Sequence, residues 1–556
     1  MKKIILLIPL LLSFPQFATL GQKKSDELLS EKQYLISGYF TLEALTIKLD
    51  TPVSQSYAKV LTAEGLWYLD RDRAMTLLRQ ALELTLPSPT ESKRAGKEIS
   101  KGVFGPDPVD LSRRRLRSRI FEIAQRDKQF RDDLLKYSSK KLGESDRSKD
   151  FLDLANSETK RGNVSEAERY INTAAQQGGA DSSMGVSLYL LAATDREAAD
   201  RIILSVLPRL RASLMTPQGL RSTLLGLDMA VFGEYPFDTQ QRNVSLSAPE
   251  VIRAYLIFSL DKIYEVGSIE TGGLQDMRGA VISVGRRIAA YCPELRERFQ
   301  ILELQSRLNP NDSDIPASIT PERQREYDEE IIRKAEGNHK SADLQAAIRI
   351  VMRRNDFSKA RDLADLFQNE AEKDKVQNDI NTAEALFLIK RKDFPGAEKV
   401  AAKLKSASSI TKVYSSLVQS FVETKNEDHA RDLLYLANEK LVKTESDDSA
   451  FWLSHFATVA ARIEKSIAFD YLGSAIKSLN QKDLDENVAE MDFDVSAFTE
   501  LAPLDPDRSI QTAEMFSNPM RRIAASAAVL QFRAKIVEER LKALERTSGR
   551  GARRSK

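Results

Sequence analysis

The apolar positions of this chain recur with the period of an α-helix, in pairs separated by short polar breaks. Leu344, Ala347, Ile348 and Val351 are followed by the break RRND and then by Ala360, Leu363, Ala364 and Phe367. Both sets fall at i, i+3, i+4, i+7, the spacing that gathers side chains onto one stripe of a helix. The next copy runs Ala383, Leu386 and Phe387, the break KRKD, then Ala397, Val400, Ala401 and Leu404. The third runs Tyr414, Leu417, Val418 and Phe421, the break ETKNED, then Ala430, Leu433, Leu434 and Ala437. The alanines opening the second stripes, Ala360, Ala397 and Ala430, stand 37 and 33 residues apart. That period suits helix-pair solenoids, in which a single pair cannot bury its own apolar face and neighbours must stack.

Looser copies flank these three. Trp452, Phe456, Val459, Ala460 and Ile463 precede Ala468, Leu472, Ala475, Ile476 and Leu479, and LDPDRSIQTAEMF, Leu504 to Phe516, reads as a further turn and second helix. Nearer the N-terminus, Ala74, Leu77, Leu78 and Ala81 keep the same spacing. The segment SETKRGNVSEAERYINTAAQQGG, Ser157 to Gly179, turns at Gly162 and Asn163 ahead of Ala167, Tyr170, Ile171 and Ala174. This copy resembles a tetratricopeptide repeat, and the resemblance implies two antiparallel helices packed about a small-residue contact. The family's Trp, Leu-Gly and terminal Pro positions are mostly missing, so what carries over is solenoid geometry and no binding residues. The expected fold is all-α, an α-α superhelix of antiparallel helix pairs with an irregular helical middle section.

Breaks in the pattern suggest boundaries. Lys2 and Lys3 precede the apolar run Ile4 to Leu12, and small residues follow near Thr19 to Gly21, so residues 1–21 read as an export signal. Helical repeats are expected over 22–180, interrupted at 86–110 by Pro87, Pro89, Pro106 and Pro108 with Gly96, Gly102 and Gly105. From 181 to 310 the period fades, although Ser247 is placed to cap a helix with Pro249 in its first turn. Regular repeats resume over 322–545, after the polar stretch Asn309 to Glu322. The basic, Gly-containing segment 546–556 is expected to be a disordered tail.

Composition narrows the function classes. Lys and Arg number 83 against 81 Asp and Glu, and removing Lys2 and Lys3 leaves the charges even, so no global bias toward nucleic acid arises. No later run approaches the roughly 18 apolar residues of a membrane span. Cys292, the one cysteine, can form no intramolecular disulfide. It is expected to share one helix stripe with Val281, Val284, Ile288, Leu295, Phe299 and Leu302, which makes it a buried small hydrophobe rather than a nucleophile.

The search for chemistry returns no catalytic, cofactor or metal residues. His339 and His429 lie at turns and are expected in solvent, whereas His455, between Trp452 and Phe456, is expected to be hydrogen-bonded in the core or a groove. Neither a zinc-ligand spacing nor a Gly-rich phosphate loop is present. Glu144 sits in the polar stretch GESDRS, without the context of a cell-wall-cleaving acid. The aspartates of GPDPVD, NDSD and DPDRS lack calcium-loop spacing and suit turns. The basic cluster Arg113, Arg114, Arg115, Arg117 and Arg119 reads as a solvated helix surface. The expected protein is an exported, periplasmic or extracellular, noncatalytic scaffold that binds a protein or peptide, with no cofactor, no nucleic acid and no stable membrane span. The alternative is a hydrolase or lyase of an envelope polymer, using carboxylates that face each other across a groove.

Overall fold

The computed structural model describes residues 14–87, 108–177, 182–213, 215–234, 244–269, 277–305, 321–444, 449–481 and 493–554. Among these residues there are 25 α-helices and no strand. Helix α1 (Phe14–Thr46) leads into the hairpin α2 (Pro52–Leu66) and α3 (Arg71–Thr85). Helices α4 (Pro108–Ala124) and α5 (Lys128–Ser139) precede the pairs α6 and α7 (Glu144–Lys160, Val164–Gln176), α8 and α9 (Ser182–Thr194, Arg196–Ala212), α10 and α11 (Pro217–Phe232, Pro249–Ile269), and α12 and α13 (Arg278–Tyr291, Arg296–Gln305). After α14 (Pro321–Asn338) come α15 and α16 (Ser341–Arg353, Phe357–Ala364), α17 and α18 (Glu370–Lys390, Phe394–Ala401), and α19 and α20 (Ala407–Glu423, Glu427–Lys443). Then follow α21 and α22 (Ser449–Ala461, Lys465–Leu479), α23 and α24 (Ser496–Leu501, Pro506–Glu514), and α25 (Pro519–Arg554). The chain is an all-α solenoid of antiparallel helix pairs.

One turn recurs inside these pairs. Gly162, Asn355, Lys392 and Lys425 adopt left-handed φ values of 77°, 59°, 64° and 61°. The next amide, of Asn163, Asp356, Asp393 or Asn426, donates to the carbonyl five residues back, at 2.9 to 3.2 Å. This closes the helix end by satisfying a carbonyl that the helix itself leaves unpaired. The same residue then starts the second helix: Asp356, Asp393 and Asn426 cap the amides of Lys359, Gly396 and His429. Four residues further on sit the fully buried alanines Ala167, Ala360, Ala397 and Ala430. The polar breaks therefore encode both the stop of one helix and the start of the next.

The stripes behave as core. All the apolar residues named in the first and third copies are buried, whereas Ala383, Leu386 and Phe387 of the second are half-buried. The long helix α17 gives Ile380 to one core cluster and Ala385 to the next; Ala383 and Phe387 pack against the first and Leu386 against the second. Asn378, buried on α17, fixes the connection between pairs. Its amide donates to Ser406 Oγ and Ser409 Oγ at 3.0 and 2.8 Å, and its carbonyl accepts from the Lys405 amide at 2.9 Å.

Contacts divide the chain into two units, one of residues 1–85, 104–116 and 326–556, the other of 86–103 and 117–325. The expected N-terminal array of 22–180 is therefore split. Its first hairpin belongs with the C-terminal repeats, because α1 and α2 pack on α25. Leu49, Ala58, Met520 and Ile523 form one buried cluster there, Gly38 faces Leu530, and Arg533 reaches Glu31 at 3.4 Å.

In the other unit the section from 182 to 305 is irregular in its connections but not in its stacking. First helices α6, α8, α10 and α12 pack in succession, as do second helices α7, α9, α11 and α13. The crossing of α8 and α10 is so close that a Cβ on Gly185 would lie 2.2 Å from Gly226 Cα. The sequence period fades because α8 is covered on several sides, by α6, α7, α9 and α10, so its apolar residues no longer form one stripe.

Several local expectations are corrected. The stripe through Cys292 is buried throughout but belongs to two helices, because Pro293 ends α12 and a short 3-10 turn, Pro293–Leu295, intervenes. Ser247 does not cap α11: its hydroxyl is buried without a hydrogen bond, and Ala248 precedes Pro249, its amide held by Asp200 Oδ2 at 3.0 Å. The break expected to reach residue 110 ends at Pro108, a residue suited to a first helical turn. Helix α25 continues to Arg554, through the segment assigned to a tail, since its glycines weaken a helix without removing a donor as proline does. Residues 1–13 of the expected export signal, 88–107 of the Pro/Gly loop and the NDSD segment lie outside the described residues.

Candidate functional site

The first helices α15, α17, α19 and α21 pack side by side, giving the C-terminal unit a continuous first-helix face. Between α15 and α17 it opens into a groove of about 450 Å³. Ile348, Met352 and Val376 supply apolar lining, while Arg349, Lys375 and Asp379 make no hydrogen bond or ion pair among the described residues. Glu372 is occupied, accepting from Ser341 Oγ at 2.6 Å. The groove thus combines apolar surface with charges that lack a partner among the described residues.

Further along the face, α21 carries Phe451, Trp452 and His455, all half-buried. Phe451 and His455, one turn apart, have parallel rings 6.4 Å between centroids, and Trp452 stands edge-on to both at 5.2 and 6.1 Å. Large aromatic rings left partly in water provide contact area at small entropic cost. His455 Nδ1 donates to Asp494 Oδ2 at 2.6 Å. The aspartate is held by Ser454 Oγ, which accepts from its amide at 2.7 Å, and by Ser496, whose amide and hydroxyl donate to Oδ1 at 2.9 and 2.6 Å. The hydrogen bond to Asp494 raises the His455 pKa against the opposing effect of burial. Burial alone would raise the Asp494 carboxyl, but the donors His455 and Ser496 hold it below the usual carboxylate range.

The remaining residues singled out in the sequence fall elsewhere. Cys292 is buried, and burial followed by the nearby Glu294 charge pushes its thiol up, away from nucleophilic character. His339 is exposed at φ 53°. His429 is not simply solvated: its Nε2 lies 2.8 Å from Glu398 Oε1, and its ring packs edge-on against Phe421 at 4.4 Å. Glu144 opens α6 on the surface. Asp505 of DPDRS caps α24 by accepting from the Arg508 amide.

The basic cluster is corrected in part. Arg115 and Arg119 are exposed, but Arg117 is buried and its Nε donates to both oxygens of buried Asp150 at 3.1 and 2.9 Å. Neither this pair nor His455–Asp494 has a local signal, since the partners stand 33 and 39 residues apart in sequence.

No protein-family model matches the chain, and no curated protein is similar to it. A solved structure described as a "Circular tandem repeat protein with novel repeat topology and enhanced subunit contact surfaces" aligns over 93% of this chain and 100% of its own, at 13% identity and a TM-score of 0.15.

Proposed function

We propose that this protein is an exported, noncatalytic scaffold of divergent tetratricopeptide-like repeats that binds a protein or peptide partner in the cell envelope along the first-helix face of residues 341–461. The observation that carries this reading is the half-buried group Phe451, Trp452 and His455, on the same face as a groove whose Arg349 and Lys375 have no partner among the described residues. Aromatic and arginine side chains are the residues that concentrate binding energy at interfaces. The left-handed turns and buried alanines support the tetratricopeptide-like assignment, and Lys2, Lys3 and the run Ile4 to Leu12 support export.

The test is mild crosslinking in the protein's own envelope fraction, affinity capture and mass spectrometry, with the Phe451→Ala/Trp452→Ala double variant run in parallel. A stoichiometric protein partner recovered with the native chain and lost with the double variant is the expected result. Recovery of no protein above background, or equal recovery with both chains, overturns the proposal.

A further inference from the structure

A pocket in the 117–325 unit has a chemistry of its own. Helix α10 presents Arg221, Leu224, Leu225 and Asp228 to it, at i, i+3, i+4, i+7 on a single stripe. Facing them on α12 are Gly279, Ala280 and Ser283, too small to fill the space, which leaves about 240 Å³. A Cβ on Gly279 would touch nothing within 4 Å. Val284 and Tyr255 complete the lining, and the Tyr255 hydroxyl is already used, donating to the Leu224 carbonyl at 3.1 Å.

The two ends of the pocket carry opposite charge. At the inner end, Arg287 donates to Asp228 Oδ2 at 3.0 Å and to both oxygens of Glu234 at 3.1 and 2.7 Å, with Phe232 packed 4.0 Å from its guanidinium. One cation is shared by two carboxylates, so one negative charge remains in excess there. The Glu234 side chain is 65% exposed and screened by water, whereas that of Asp228 is only 17% exposed and receives a single hydrogen bond from the shared cation, so the unrelieved negative charge sits on Asp228. At the other end Arg221 is exposed and makes no hydrogen bond or ion pair among the described residues. Seven residues of helix separate the two along α10, about 10 Å at 1.5 Å per residue.

We propose that this pocket binds a short zwitterionic peptide of dipeptide size, its N-terminal ammonium against Asp228, its C-terminal carboxylate on Arg221 and an apolar side chain over Leu224, Leu225 and Val284. An ammonium neutralises the excess carboxylate charge, and a guanidinium matches a carboxylate with two parallel donors. An extended dipeptide spans about 7 Å at about 3.5 Å per residue, and the length of the arginine side chain covers the remainder. A free amino acid carries both charges on one carbon and reaches one end only. The pocket volume of about 240 Å³ limits the ligand to about the size of a dipeptide.

This site lies in a different unit from the proposed partner-binding face, so either reading can fail without the other. Isothermal titration of the full chain with alanyl-leucine, leucyl-alanine and alanyl-phenylalanine tests it, with N-acetylated and C-amidated forms of each and free leucine as controls. At least one free dipeptide is expected to bind, with either blocked form and leucine at least tenfold weaker. Arg221→Ala is expected to reduce the free dipeptide to the affinity of its amide while leaving the amide unchanged. Gly279→Leu is expected to abolish binding with helicity retained. Absence of binding by all three dipeptides at millimolar concentration overturns the proposal, as does equal binding of the blocked forms. Unchanged affinity in Arg221→Ala, a surface substitution that does not depend on how Gly279→Leu folds, overturns it equally.

Discussion

The left-handed turns give the sharpest prediction, because the same chemical change should have opposite signs at adjacent residues. Lys392 and Lys425 occupy φ of 64° and 61°, a region costing an L-residue about 1–2 kcal/mol. Replacing either with glycine removes that cost but increases the freedom of the unfolded chain, an opposing effect of about 0.4–1 kcal/mol. The net is a gain of about 0.5–1 kcal/mol for Lys392→Gly or Lys425→Gly. The sites are 33 residues apart and share no partner, so the double variant should gain about 1–2 kcal/mol. One residue earlier, Arg391 has φ −84°, and Arg391→Gly should cost about 0.5–1 kcal/mol. Gly162→Ala should likewise cost about 0.5–1 kcal/mol, because its φ is 77° while the added methyl meets open space, so only the backbone responds. Urea unfolding followed by far-ultraviolet circular dichroism measures each difference. A loss of stability in Lys392→Gly or Lys425→Gly, or a gain in Arg391→Gly, would refute the assignment of these residues to the helix-ending turn.

Other expectations follow from particular contacts. Gly185→Ala should destabilise by about 1–3 kcal/mol or more through forced separation of α8 and α10, read by the same unfolding assay. Asn378→Ala should cost about 1–3 kcal/mol by leaving the Lys405 amide without its acceptor and removing the donor to Ser406 Oγ and Ser409 Oγ. Because the His455 pKa is raised in the folded state, its stabilising effect is complete below the unfolded value of about 6.5 and disappears as pH rises through the folded value. Asp494 is depressed, so its contribution is present above about 3.9 and is lost as pH falls through its folded value. Proton NMR of the three histidines should show His455 titrating above the usual range and returning to it in Asp494→Asn, and an unmoved His455 would contradict the pairing. Asp150→Asn should cost about 1–3 kcal/mol by removing the buried carboxylate charge to which Arg117 Nε donates, whereas replacing both with leucine should cost less in the same denaturation experiment.

Much of the architecture was written locally. The stripes Leu344 to Val351 and Ala360 to Phe367 specify two amphipathic helices, and the breaks RRND, KRKD and ETKNED supply the residues that end one helix and cap the next. These are short-range relations, fixed by helix period and capping chemistry, so sequence alone determined the helix pair, its turn and its buried alanine. The single helix assumed through Cys292 failed at Pro293 because an apolar stripe can continue across a break in the backbone.

Long-range pairing was not legible in the same way. Nothing near Leu49 or Ala58 names Met520 and Ile523 as their neighbours, nor does His455 name Asp494, nor the stripe from Arg221 to Asp228 the small residues Gly279, Ala280 and Ser283 that face it across a pocket. An apolar stripe records that it must be covered, and a charge that it must be solvated or paired, but neither records by which segment. Tertiary structure alone decided that the first hairpin joins the C-terminal repeats, that Arg117 leaves the solvated face for Asp150, and that the middle section keeps stacking after its sequence period has faded. Those outcomes depend on which surfaces meet when the pairs pack together, a property of the assembled chain that no single window of sequence contains.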